Sequence, residues 1–264
     1  RLPLILPCEV IVSTPSLSGE SIPQPLRSTM PRFPEINDRL AVRNKPARSP
    51  VMFQRWSNLL FLHWEINPTR IQSRLPEGLH VDLHEGKTYL GLVPFFMETI
   101  RPRFLPCVHD DQGRPGVWFF SLDCNQPIAV ELARRFFHLP YEHARMNSDG
   151  SIYRCQRKNT PDTAEYHFST SQDEQEARPG SLEFFLLERY LLFSQSSSGQ
   201  LKYGQVHHKP YRFSKTSISN PDLAPARWNG FHFDEPPVSA LTSTGVDVEI
   251  FSLQNAFTRT EKER

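Results

Sequence analysis

The stretch FQRWSNLLFLHWEI (53–66) is apolar and aromatic, with polar residues placed sparsely. Alternation puts Leu60, Leu62 and Trp64 on one face of a strand, with Phe61 and His63 on the other. NPTRIQSRLPEG then reads as a short helix: Asn67 caps it, Pro68 suits its first turn, and Pro76 and Gly78 end it. LHVDLHEGKTYLGLVPFFMETIRP reads as a hairpin turning at Glu85-Gly86, with a long strand from Thr88 to Ile100 kinked at Gly91 or Pro94. GVWFFSLD is a buried strand. NQPIAVELARRFFHLP is the clearest helix, with Asn125 as cap, Pro127 in the first turn, and an apolar stripe of Ile128, Ala129, Leu132, Ala133, Phe136 and Phe137. Glu131 and Arg135, four apart, belong to its solvent side. SIYRCQRK and AEYHFSTS follow as strands around an NTPD turn. PGSLEFFLLERYLLFSQ starts as a helix capped by Ser181 and turns to strand near Tyr190. LKYGQVHHKPYRFSK gives one or two strands broken at Pro210, residues 220–237 read as loop, and GVDVEIFSL is the last strand.

Many strands, few helices and no strand–helix alternation exclude a doubly wound sheet. The expectation is a mainly β (α+β) domain over residues 51–255, predominantly antiparallel, with two or three short helices. Residues 1–50 hold 9 of the 24 prolines and no sustained period, which predicts a flexible arm. The run LPLILPCEVIV has an interrupted core and no clean cleavage site after it, so Met30 reads as the natural start. Residues 256–264 read as a tail. With 30 basic and 29 acidic residues the net charge is +1, which argues against bulk binding to nucleic acid or anionic membrane. Four cysteines without a CxxC pair argue for buried thiols in a reducing cytoplasm rather than a disulfide frame.

The strings RWSNLLFLHWEINP, LPEGLHVDLHEGKTYLGLVPFFM, IRPR, GRPGVWFFSLD, ARRFFHLPY, PGSLEFFLLERY and VHHKPY resemble the YqjF-like family of uncharacterised proteins, in the family's order from about Val51 to about Leu253. That family is similar to acetoacetate decarboxylase. The resemblance implies an antiparallel β-barrel or sheet around a cavity of small-molecule size, with a few flanking helices. In the family IRPR is followed by a further strand, whereas here RPRFLPC runs straight into VHDDQGRPG, which predicts one strand fewer. The resemblance also implies a Schiff-base lysine for the distant decarboxylases, a chemistry that needs a desolvated amine. No lysine of this chain sits in an apolar string, and Ser121 and Asp123 occupy the strand where that lysine is expected, so Schiff-base decarboxylation is not expected and no cofactor is.

His80 and His84, and the adjacent His207 and His208, match neither HExxH nor a Cys/His zinc spacing, so no metal is expected. A Ser121–His207–Asp123 triad lacks the GxSxG elbow. Charged and polar residues inside apolar strings remain: Arg55 and His63, Glu98 and Arg101, Ser121 and Asp123, and Glu183, Glu188, Arg189 and Tyr190. Such groups must be paired or face a cavity. One reading makes them structural ion pairs, of Arg55 or Arg189 with Asp123 or Glu188. The other brings Arg55, His63, Arg101, Ser121, Asp123, Glu188, Tyr190 and His207 to a cavity for a small organic acid, with Trp56, Trp64 and Phe95 as walls. The leading expectation is therefore a cytoplasmic small-molecule-binding protein. The alternatives are a structural protein that self-associates into a homo-oligomer, and a lysine-independent lyase or hydrolase.

Overall fold

The computed structural model describes residues 31–97, 99–100, 103–149, 151–158, 160–170, 173–219 and 222–256. Helix α1 (Ile36–Ala41) precedes β1 (Met52–Ile66). Helix α2 (Pro68–Gln72) begins where Asn67 accepts the Thr69 N–H at 2.9 Å, as its sequence predicts. Next come β2 (Leu79–Val81), β3 (Thr88–Val93), β4 (Phe96–Met97) and β5 (Thr99–Ile100). The long strand expected from Thr88 thus breaks after Val93, at Pro94, whose ring removes a ladder donor. The segment read as running straight into a turn is itself a strand, β6 (Arg103–Asp110).

GVWFFSLD divides into β7 (Pro115–Trp118) and β8 (Ser121–Cys124). Helix α3 (Pro127–Phe137) starts from Gln126 rather than Asn125. Its apolar stripe is not buried: Ile128, Leu132 and Phe136 are 76%, 51% and 61% exposed, and the helix instead buries Val130, which lies outside that stripe. Beyond it lie β9 (Tyr141–Ser148), β10 (Ile152–Arg157), β11 (Ala164–Thr170) and β12 (Gln175–Glu176). Helix α4 (Leu182–Leu187) is capped by Ser181 on the Phe184 N–H. The chain ends with β13 (Leu191–Gln195), β14 (Leu201–His207), β15 (Arg212–Ser219), α5 (Ala224–Trp228), β16 (Ser239–Ile250) and β17 (Gln254–Asn255). There are five helices among the described residues, where two or three were expected; α1 and α5 fall in segments too short and Pro-rich to show a helical period.

The strands form one mainly antiparallel sheet, with β8–β9 and β7–β13 as parallel pairs. Pairings can be followed from β1 through β3, β6, β7, β13, β14 and β16 and back to β1. The β7–β13 contact needs Gly116, because a Cβ there would lie 2.7 Å from the Leu191 carbonyl oxygen. β1 is a shared wall. Leu60, Leu62, Trp64 and Ile66 pack into one core, and Leu59 and Phe61 into a second on the opposite face. Alternation alone would put Trp56 with Leu60. Asn58, at φ 50°, shifts the phase, so Trp56 joins Leu59 and Phe61.

Residues 31–50, the C-terminal part of the segment that the sequence presents as an arm, carry α1 and contacts to the core. α1 and the residues after it supply Arg39 and Arg43 to carboxylates that are otherwise buried, Asp82 and Glu188. Residues 1–30 and 257–264 lie outside the described residues. No helix among the described residues is long and apolar enough to cross a membrane.

Candidate functional site

Six of the seven strands on the path just traced contribute to one buried cavity of about 70 Å³. β1 supplies Trp56, Leu59, Phe61 and His63, while Phe95 follows β3 and Tyr211 precedes β15. A histidine and an arginine, His63 and Arg189, break this mainly apolar and aromatic lining. Among the described residues that line it there is no lysine.

Arg189 is held there by local structure. Helix α4 is apolar, with Phe184 to Leu187 all buried, so its terminal carbonyls have no water. Arg189 follows the helix end and its Nε donates to the Phe185 carbonyl at 2.6 Å, a cation closing a helix C-terminus. Its Nη1 donates to Asp82 Oδ2 at 2.5 Å. Arg39 takes the same carboxylate in a fork, Nη1 to Oδ2 at 2.6 Å and Nη2 to Oδ1 at 2.7 Å. The Phe185 ring lies under both guanidiniums, at 4.1 and 4.9 Å. Burial alone would raise the Asp82 carboxyl, but Arg189 and Arg39 together hold it below its ordinary value.

That cluster has two guanidiniums and one carboxylate, and the surplus charge is at the cavity. Arg189 is 5% exposed, and its Nη2 has no hydrogen-bond partner. The Cys107 thiol, a weak acceptor, interacts with the same guanidinium; burial and Asp82 keep it above its ordinary pKa against the pull of Arg189, so it stays protonated. His63 is neutral too. Burial, then repulsion from Arg189, push it down to about 3, and its Nδ1 is buried without a partner. An apolar chamber therefore ends in one excess positive charge and two unsatisfied nitrogens.

The other residues singled out in the sequence go elsewhere. Ser121 and Asp123 anchor Arg157, which gives Nε to Asp123 Oδ1 at 2.5 Å and Nη2 to Ser121 Oγ at 2.5 Å; Asn229 donates to the same hydroxyl at 2.8 Å. Burial raises the Asp123 carboxyl despite Arg157. Glu188 points away from Arg189 across the helix end. Its Oε2 accepts from the Tyr190 hydroxyl at 2.5 Å and lies 3.6 Å from Arg43 Nε, and its Oε1 accepts from the Tyr211 N–H at 3.2 Å. Burial, against those partners, holds it above its usual range. Arg55 is exposed and pairs across the ladder with Asp247 at 3.1 Å. His207 Nδ1 donates to the Arg43 carbonyl at 3.1 Å. Arg55 and His207 both border a surface cleft of about 1030 Å³. Arg101 and Glu98 lie outside the described residues. So His63 faces the cavity, Trp56 and Phe95 are its walls, and Trp64 belongs to the other core. The expected pairings of Arg55 or Arg189 with Asp123 or Glu188 are replaced by Arg157–Asp123, Arg43–Glu188 and Arg189–Asp82.

Sequence reasoning passed over Asp82 and Arg39. Asp82 stands between Val81 and Leu83, just past the end of β2, an acid flanked by apolar residues. Arg39 lies in a Pro-rich segment with no sustained period, where nothing marks it as a core contact. Among the described residues no three His, Cys, Asp or Glu side chains converge as a metal site.

Residues 53–247 match the DUF2071 family, described as an uncharacterized conserved protein. The uncharacterized protein YqjF of Bacillus subtilis (strain 168) is 32% identical over 181 residues, 61% of this chain and 74% of that protein. Among solved structures, acetoacetate decarboxylase from Legionella pneumophila superposes with a TM-score of 0.55 at 12% identity, over 89% of this chain and 100% of the other. The enduracididine biosynthesis enzyme MppR, complexed with pyruvate, gives a TM-score of 0.55 at 10% identity, over 80% of this chain and 93% of the other. An acetoacetate decarboxylase-like enzyme from Sphingomonas wittichii RW1 gives 0.53 at 13% identity, over 78% and 93%. These likenesses establish an acetoacetate decarboxylase-like fold.

Proposed function

The chain belongs to the DUF2071 family, and we propose that it binds a small organic carboxylate in the buried cavity between Arg189 and His63. The carrying observation is the charge at the cavity wall: Asp82 neutralises only one of the two guanidiniums that grip it. A buried cation that shares its one counter-ion with a second guanidinium is costly, and an anion seated on the unpartnered Arg189 Nη2 would relieve that cost. A planar guanidinium suits a carboxylate. His63 Nδ1 offers a second polar contact, and the aromatic walls exclude water. At about 70 Å³ the chamber suits an acid group with only a few further heavy atoms.

The test is calorimetric titration with formate, acetate and pyruvate, the last being the acid in the MppR complex. Wild type should bind at least one of them, Arg55→Ala should bind equally well, and Arg189→Met should not bind. Absence of binding by wild type, or full binding by Arg189→Met, would overturn the reading.

A further inference from the structure

The chamber is not isolated. A second cavity of about 540 Å³ lies beside it, and Trp56, Phe119, Leu192 and Val206 line both. This trough runs along the same face of β1, where Met52 and Gln54 precede Trp56 at two-residue steps. α3 forms its other side with Leu132 and Phe136, and Ile250 and Leu253 complete it. None of the described residues that line it is charged. Trp56 stands at the junction, its indole N–H tied to Gln54 Oε1 at 2.8 Å. The outward-facing stripe of α3 is thus the rim of a trough whose inner end abuts a cationic chamber.

We infer that the natural ligand is an amphiphilic monocarboxylate, with its acid group on Arg189 and an alkyl-like tail past Trp56 into the trough between α3 and β1. The inference rests on the carboxylate reading above. It follows from the order of surfaces along β1: an anion site at the inner end, then an uncharged, mainly apolar lining that opens beside two exposed apolar side chains. A tail there would cover Leu132 and Phe136. Each methylene removed from water tightens binding about fourfold.

The experiment compares acetate, octanoate and octan-1-ol by calorimetry on the full chain. Octanoate has six methylenes more than acetate and should bind at least 100-fold more tightly. Phe136→Glu, on an exposed helix position where folding is not at stake, should weaken octanoate at least tenfold and leave acetate unchanged. Crystals soaked with 8-bromooctanoate should show bromine beside α3. If acetate binds and octanoate binds no better, the tail is overturned and the carboxylate site stands. If octanol matches octanoate, and Arg189→Met leaves both unchanged, the trough is an independent apolar site and the inference fails. If Phe136→Glu instead splits a dimer and leaves octanoate binding intact, the trough belongs to a second copy of the chain, which also overturns it. If no acid binds at all, the carboxylate reading itself falls.

Discussion

Arg39 reaches across 43 positions of sequence to grip both oxygens of Asp82, at 2.6 and 2.7 Å. This contact fixes α1 to the core and leaves Arg189 only half neutralised. Asp82→Ala should therefore destabilise by about 3–5 kcal/mol, the usual cost of stranding buried charge. Urea unfolding measures it. Deleting residues 1–45 removes Arg39 and Arg43 together and should lower stability markedly, whereas an indifferent melt would show that neither contact matters.

His208 supplies a pH prediction. Its ring stacks on Tyr190 at 4.6 Å, and its Nδ1–H donates to the Lys209 carbonyl. Burial, helped by repulsion from His207 and Arg43, pushes it down to about 4. The unfolded chain takes up this proton near pH 6.5 and the folded chain only near 4, so stability falls as pH drops through that window. His63 acts in the same direction. Glu188 and Asp123, held above their ordinary values, act oppositely, losing stability as pH rises from those values. Comparison with His208→Phe isolates the single histidine. The variant should lose about 2 kcal/mol less than wild type between pH 7 and 5, and equal losses would refute the assignment.

Gly245 faces β1 where Asn58 shifts its phase, and its φ is 136°. A Cβ there would sit 2.2 Å from the Trp56 carbonyl oxygen. Gly245→Ala should cost about 3 kcal/mol or more by overpacking and positive-φ strain, and should weaken acid binding because Trp56 moves. Calorimetric melting together with the acetate titration checks both effects.

Arg157 is the partner of Asp123 and Ser121, away from the cavity lining. Asp123→Ala should cost about 3–5 kcal/mol in stability and leave carboxylate affinity unchanged. Loss of binding without loss of stability would move the site to β8.

Because no described lysine lines the cavity, borohydride with acetoacetate should leave every lysine unmodified. Mass spectrometry of tryptic peptides decides this, and an adduct on Lys209, at the surface cleft, would count against it.

The alternation of β1 was legible: Leu60 and Phe61 fall on opposite faces as periodicity requires, and so does His63. Caps at Asn67 and Ser181 were legible because a side-chain oxygen on an N–H two or three residues ahead is a local event. The stripe on α3 was legible as a pattern but not as a burial, since three of its residues face outward. The site was legible only in type. A charge inside an apolar string must find a partner, but Arg189 finds Asp82, 107 positions away, and sequence spacing carries no information on that meeting. Arg39 was hidden by its neighbourhood, because a segment rich in proline reads as arm even when one arginine anchors it.

The double role of β1 has a consequence for how the chain tolerates change. On its stretch from Leu59 to Trp64, odd-numbered residues furnish the chamber and even-numbered ones the opposite core. Neighbouring substitutions should therefore separate into two unrelated phenotypes, one of ligand selectivity and one of folding. A single inserted residue just after Asn58 would exchange the two sets, carrying His63 into the oily side and Leu62 into the polar end. Insertions there should be purged far more strictly than replacements, and a library scanned across this strand would show selectivity and yield alternating with a period of two.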